Sequence, residues 1–320
     1  MCYHHNTFVR LAQLVERYID IVEVTSSSLV PDTRMQSSLK DIVVIYHGDC
    51  RDGFGAAYAA WKKFGDEASY IPVKDHTEAP TGLTKKEIYI VDFSFRKPVL
   101  EELSTHNKSV VVIDHHQTAK ADVESFPQNI FDNNHSGAVL TWQYFHPDSP
   151  VPELLLQVED HDLWRFAMPE NREFNVALGQ YPMTFTAWDE LIAHLAESED
   201  NRINFIAKGA LLAKFEDKLV AKLMEYKERV LFAGHEVWAI NASRIYRSIL
   251  GNQLAELNAA EEQTALGIVY YHYGGKVHIS LRSLGDVDVA QIAERYGGGG
   301  HKNAASIRVG DFSQLPFTFI

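Results

Sequence analysis

Between Asp41 and Asp132 the chain repeats one rhythm: a short apolar run, an abrupt polar break, then a segment of helical periodicity. Ile42-Val43-Val44-Ile45-Tyr46, Glu87-Ile88-Tyr89-Ile90-Val91 and Val110-Val111-Val112-Ile113 are rich in β-branched residues and lack strict alternation. They read as strands covered on both faces. Residues 70–73 form a shorter strand whose Pro72 suits a sheet edge, and 129–132 another. Helical stretches at 56–64 and 97–103 separate these runs. Strands alternating with helices predict a doubly wound, mostly parallel α/β sheet.

Downstream the period changes. Helices are expected at 136–145 and 150–164, and amphipathic helices over 186–232 suit a connector. After Gly234 the text turns to strands at 237–241, 264–273 and 276–282, a helix at 289–296, and a closing strand at 306–309. That is a smaller α+β C-terminal domain. Residues 1–38 hold an amphipathic stretch at 11–24 and a Ser26-Ser27-Ser28 patch, which predict a peripheral helix or arm. The expected division is therefore 1–38, 39–185, 186–233 and 234–320.

Composition narrows the function. At 46% hydrophobic and 23% charged residues the chain resembles an ordinary globular protein. No apolar run of about 18 residues predicts a membrane span, and residues 1–38 lack the layout of a secretory signal. Cys2 and Cys50 make no disulfide framework, so a cytoplasmic setting is expected. The net charge of −13 argues against coating long duplex nucleic acid, while leaving short or single-stranded pieces open. Nearly all of it precedes Glu236, and an acid-rich domain is also what a divalent-cation site looks like.

The polar breaks carry the chemistry. The first strand ends in His47-Gly48-Asp49-Cys50-Arg51-Asp52-Gly53, the third in Asp92, the fourth in Asp114-His115-His116. Open α/β sheets place their sites at such strand ends. Independent loop residues have no reason to be acid or imidazole at three of them. His47, Asp52, Asp92, His115 and Asp160 suffice for two divalent ions about 4 Å apart, and a mixed N/O donor set favours Mn2+, with Mg2+ or Co2+ as alternatives. Hydrolysis of a phosphoester is the natural use. The run Gly297-Gly298-Gly299-Gly300-His301-Lys302 has a different logic: its backbone N–H groups could form an anion-binding nest, with His301 and Lys302 adding donors or charge. Arg282 is the best second anion clamp.

Together these motifs resemble the DHH phosphoesterase superfamily with its DHHA1 companion domain, over about 39–310. The resemblance implies a two-domain, usually Mn2+-dependent enzyme that holds two ions in its first domain and grips substrate with the second. It further implies that His47 and Asp92 bind one metal and Asp52, Asp92, His115 and Asp160 the other. Asp114 would buttress the imidazoles, and His116 would face the scissile phosphate. One departure stands out: many relatives have an acid where this chain has Cys50, so Asp49, Cys50 or a water completes the first metal.

The His-Gly-x-Cys-x-Asp-Gly-Phe opening and the Asp-Leu-Trp-Arg-Phe segment resemble the nanoRNase B type oligoribonucleases. The implied substrate is a two- to five-nucleotide RNA or a dinucleotide such as pGpG, cut to mononucleotides. 3′-Phosphoadenosine-5′-phosphate (pAp) phosphatase, cyclic-dinucleotide phosphodiesterase and exopolyphosphatase or pyrophosphatase remain alternatives of the same superfamily. A homodimer is left open.

Overall fold

The computed structural model describes residues 39–48, 50–74 and 78–320; the expected N-terminal arm and Asp49 lie outside them. The chain divides into two compact units. The first comprises residues up to Arg165 together with Met183–Trp188, and the second Phe166–Pro182 and Asp189–Ile320. Residues 166–182, expected within the first domain, thus group with the second unit.

The first unit is built on five parallel strands: β1 (Ile42–His47), β2 (Ala68–Val73), β3 (Glu87–Val91), β4 (Ser109–Asp114) and β5 (Asn129–Phe131). Their order is β2-β1-β3-β4-β5, every pairing parallel. Val43, Ile45, Ile88, Ile90, Val110 and Val112 face one apolar layer, Val44, Val91 and Ile113 the other, so the sheet is buried on both sides. Pro72 falls in edge strand β2, where its missing N–H costs no ladder bond. The helices of this unit are α1 (Arg51–Phe64), α2 (Lys97–His106), α3 (Lys120–Glu124), α4 (Gly137–Phe145) and α5 (Glu153–Asp162).

Helix α6 (Asn171–Leu178) belongs to the second unit; α7 (Phe185–Glu197) follows, and Ser198 caps α8 (Glu199–Met224) by accepting from the Asn201 N–H. The helical run ends there. Glu228–Phe232 is strand β6, pairing with β7 (His235–Asn241) through a turn at Ala233 and Gly234, both at positive φ. The alternation of buried Val230 and Phe232 with exposed Leu231 explains the strand. Then come α9 (Arg247–Ala260), which the strand-rich reading passed over, β8 (Leu266–Tyr273), β9 (Lys276–Ser283), α10 (Val289–Glu294), β10 (Gly299–His301), β11 (Ala304–Val309) and β12 (Phe317–Phe319). They form a mixed seven-stranded sheet, β10-β11-β9-β8-β7-β6-β12, with α10 on one face and α9 on the other.

Candidate metal centre

Parallel register fixes the centre. Tyr46 pairs with Val91, and Val91 with Ile113. The next residues, His47, Asp92 and Asp114, therefore emerge level at the carboxyl edge of three adjacent strands. Asp92 turns with φ of +62°, a left-handed conformation uncommon outside glycine and typical of functional sites. Asp52 enters from the first turn of α1, just after β1.

Two groups of metal-capable atoms result: His47, Asp92 and His116, and Asp52, His115 and Asp162. His47 Nδ1 lies 3.2 Å from Asp92 Oδ2. His115 Nε2 lies 3.2 Å from Asp92 Oδ1, 3.5 Å from Asp52 Oδ2 and 3.6 Å from Asp162 Oδ2, so it faces three carboxylates at once. Asp92 Oδ1 and His115 Nε2 are both buried, and neither has a hydrogen-bond partner. Buried polar atoms without partners are costly unless something satisfies them. Carboxylate and imidazole donors converging this way fit a hard or borderline divalent cation.

Asp52 is held from behind. Its Oδ2 accepts the Gly137 N–H at 2.7 Å and its Oδ1 the Ala138 N–H at 3.0 Å, so it also satisfies donors at the start of α4. Only glycine fits at 137, because a Cβ there would stand 2.5 Å from Asp92 Cβ. Glu159 steadies the same turn by accepting the Ser136 N–H at 2.9 Å.

Electrostatics follow from burial and crowding. Burial and the charges of Asp92 and Asp162 push the Asp52 carboxyl up, and burial with Asp92 does the same to Asp162. Burial would also raise Asp92, but the imidazoles of His115 and His47 outweigh it and hold Asp92 low. For His116 burial acts downward, and the hydrogen bond its Nδ1–H donates to the Asp114 carboxylate overcomes it, lifting the imidazole to about 9. Burial, with Asp92 and Asp52 nearby, pushes the Cys50 thiol far up, so without a cation it stays protonated at neutral pH. A carboxylate cluster of this kind calls for added positive charge.

The α5 carboxylate in the centre is Asp162, where the sequence reading favoured Asp160. The two are separated by two helical positions, about 200° of rotation. Leu155 packs toward Gly55 of α1, and Asp162 lies seven residues on along the same helix stripe. That periodicity is the signal that distinguishes the two acids. Asp160 is buried outside both groups. His116, expected to face substrate, sits in the first group instead, with Nδ1 bound to Asp114 Oδ1 at 2.8 Å and Nε2 left as its ligand-capable atom.

In the second unit the glycine run does not curl into the expected nest. Gly299–His301 is an edge strand pairing antiparallel with Ala304–Ser306. A Cβ on Gly300, at φ +150°, would meet Ala304 O at 2.5 Å, while Gly298 precedes the strand. Lys302 pairs with Asp286 at 3.2 Å. Arg282 is half-buried, donating to Leu281 O at 2.9 Å and Ser248 Oγ at 3.0 Å. Among the described residues no carboxylate pairs with it.

A two-unit α/β architecture with an acid–imidazole centre at its parallel sheet edge defines the class, and comparison with known proteins agrees. Residues 237–316 match the DHHA1 domain family. An uncharacterized protein of Acanthamoeba polyphaga mimivirus is 29% identical over 286 residues, 83% of this chain and 66% of that protein. Oligoribonuclease NrnB of Bacillus subtilis is 25% identical over 244 residues, 70% of this chain and 59% of that one. The chain thus spans less than two thirds of the length of either relative. Among solved structures, the pGpG-specific phosphodiesterase PggH from Vibrio cholerae aligns with a TM-score of 0.49 at 15% identity, covering 85% of this chain and 94% of that one.

The chain thus carries a DHHA1 domain over residues 237–316 and is similar, over 70% of its length, to an oligoribonuclease. No helix among the described residues is long and apolar enough to cross a membrane.

Proposed function

We propose that the protein is a metal-dependent phosphodiesterase that hydrolyses short oligoribonucleotides, including linear dinucleotides such as pGpG, to mononucleotides. The observation that carries the reading is the pair of buried, unsatisfied atoms, Asp92 Oδ1 and His115 Nε2, facing each other across 3.2 Å between two metal-capable groups. His47, Asp92 and His116 would hold one divalent cation, and Asp52, His115 and Asp162 the other. Mn2+ suits the mixed nitrogen and oxygen donors. Such ions polarise a phosphoryl group and supply hydroxide at neutral pH.

The chain's own residues supply the rest. Asp52, tied to the α4 N-terminus, and Asp92, turned inward by its left-handed backbone, keep two carboxylates aimed at one point without mobile side chains. Asp114 accepts from His116 Nδ1 and so fixes the ring with Nε2 turned to the first cation site as a ligand. The water that adds its oxygen to phosphorus would return a proton to the leaving ribose oxygen as the P–O bond breaks. In the second unit, Arg282, half-buried and without an acid partner among the described residues, is the side chain suited to grip a phosphate.

The test is a panel of purified protein with Mn2+ against pGpG, a pentaribonucleotide, pAp, a cyclic dinucleotide and polyphosphate. Linear dinucleotide and short RNA are expected to turn over fastest. Faster turnover of pAp, cyclic dinucleotide or polyphosphate would replace this substrate assignment with that one.

A further inference from the structure

Strand register places an unusual set of side chains on one face of the second unit's sheet. Val277, Ile279 and Leu281 of β9, Leu266, Ile268 and Tyr270 of β8, and Ala305 and Ile307 of β11 all point into the core beneath α10. The intervening residues therefore share the opposite face. Reading across three strands, Tyr271 pairs with His278 and His278 with Arg308, while Tyr273 pairs with Lys276 and Arg282 with Ala304.

Helix α9 covers only one end of this face. Leu254 and Gly251 lie against Gly267, and the Arg282 stem lies against Gly251. At the other end Tyr273 is 66% exposed, and Lys276, Ser306 and Arg308 are exposed. The Tyr271 and His278 rings are stacked flat, 5.3 Å between centroids at 5°, and Tyr273 stands 6.2 Å from His278. Among the described residues Lys276, Arg308, Arg247 and Arg282 have no carboxylate within ion-pair distance. A cross-strand aromatic pair alone would serve the sheet. It would not explain a third, exposed ring bordered by unpaired cations.

Flat rings stack on bases of any sequence, and guanidinium and ammonium groups track the phosphates between them. We propose that this open face, Tyr271, Tyr273, Lys276, His278 and Arg308, is a binding platform for the additional nucleotides of a single-stranded oligoribonucleotide, leading away from Arg282. Arg282 and His278 are four residues apart on one strand, roughly 13 Å. A dinucleotide gripped at Arg282 would leave the platform largely unused, whereas a longer chain would run onto it. The inference takes its ligand class from the function proposed above but concerns binding alone.

The experiment measures fluorescence anisotropy of 5′-fluorescein oligoadenylates of two and five nucleotides with the full chain in EDTA, where no turnover intervenes. The pentanucleotide should bind about five- to a hundredfold more tightly than the dinucleotide, as one or more stacked bases would give. Arg308→Ala with Lys276→Ala, both at exposed positions, and separately His278→Ala should shrink that ratio toward one. Lys214→Ala with Lys218→Ala, both exposed on α8, removes an equal charge elsewhere and serves as the control. Equal affinity for both lengths, a ratio that survives in the platform variants, or an equal fall with the paired Lys214→Ala and Lys218→Ala changes would each overturn the proposal. So would displacement of the pentanucleotide by poly-glutamate as readily as by unlabelled oligoadenylate. Because hydrolysis is not read, a protein inactive on RNA could still satisfy this test, and an active one could fail it.

Discussion

His116 Nδ1 lies 2.8 Å from Asp114 Oδ1, and the same oxygen accepts the backbone N–H groups of His115 at 2.8 Å and His116 at 3.2 Å. One buried carboxylate oxygen therefore sets both the turn and the ring orientation. Burial opposes protonation of His116, yet Asp114 lifts the imidazole to about 9. A folded-state value above the unfolded one, about 6.5, stabilises the protein fully below pH 6.5, and the benefit is lost as pH rises through 9. In EDTA, Asp114→Asn should lose stability relative to the parent at pH 6, by at most about 3 kcal/mol, and the gap should close by pH 10. Urea unfolding at both pH values checks this; curves that stay parallel would show that Asp114 does not control His116.

Asp162 rather than Asp160 should govern metal affinity. Asp162 Oδ2 is 3.6 Å from His115 Nε2, while Asp160 belongs to neither metal-capable group. Asp162→Ala is expected to weaken Mn2+ binding by at least about tenfold, on the scale of lost ligands and their supports. Asp160→Asn, at a buried position, is expected to lower the unfolding temperature and leave Mn2+ affinity nearly intact. Calorimetric Mn2+ titration of the two variants decides, and the reverse ranking would restore Asp160.

The difference between those two acids shows where the sequence was readable. His47, Asp92 and Asp114–His116 could be placed together in advance, because parallel strands in register deliver their carboxyl ends to one edge wherever each begins. Asp162 could not, because a helix rotates its side chains by about 100° per residue and the phase depends on where α5 starts and what it packs on. Five residues of alternation in β6 were similarly too few to interrupt the helical period running up to Met224. The glycine run announced close backbone approach, but the choice between nest and edge strand was made by β11, which passes beside Gly300.

Metal addition should stabilise the fold. A cation that binds only the folded state contributes RT ln(1 + [L]/Kd), about 2.7 kcal/mol at a hundredfold excess over Kd. Melting curves of the parent should therefore rise by several degrees as Mn2+ is titrated, and Asp92→Ala, which takes a carboxylate from the first group and the 3.2 Å neighbour from His115, should erase the rise. Asp92→Ala should also abolish hydrolysis of the dinucleotide. A full thermal response in the variant would move the ions away from Asp92.

Gly137→Ala tests whether the centre depends on a backbone approach. The added methyl would stand 2.5 Å from both Cβ and Oδ1 of Asp92, closer than any real contact allows. Asp92 is buried and cannot swing aside. Relief must come from shifting the start of α4, and that shift breaks the bonds by which the Gly137 and Ala138 N–H groups hold Asp52. Overpacking of this kind costs about 1–3 kcal/mol, so the variant should fold with a lowered melting temperature. Its loss of Mn2+ affinity should exceed that of Gly65→Ala, a glycine whose added methyl meets nothing. Equal Mn2+ affinities in the two glycine variants would mean that the contact between α4 and Asp92 is incidental to the metal centre.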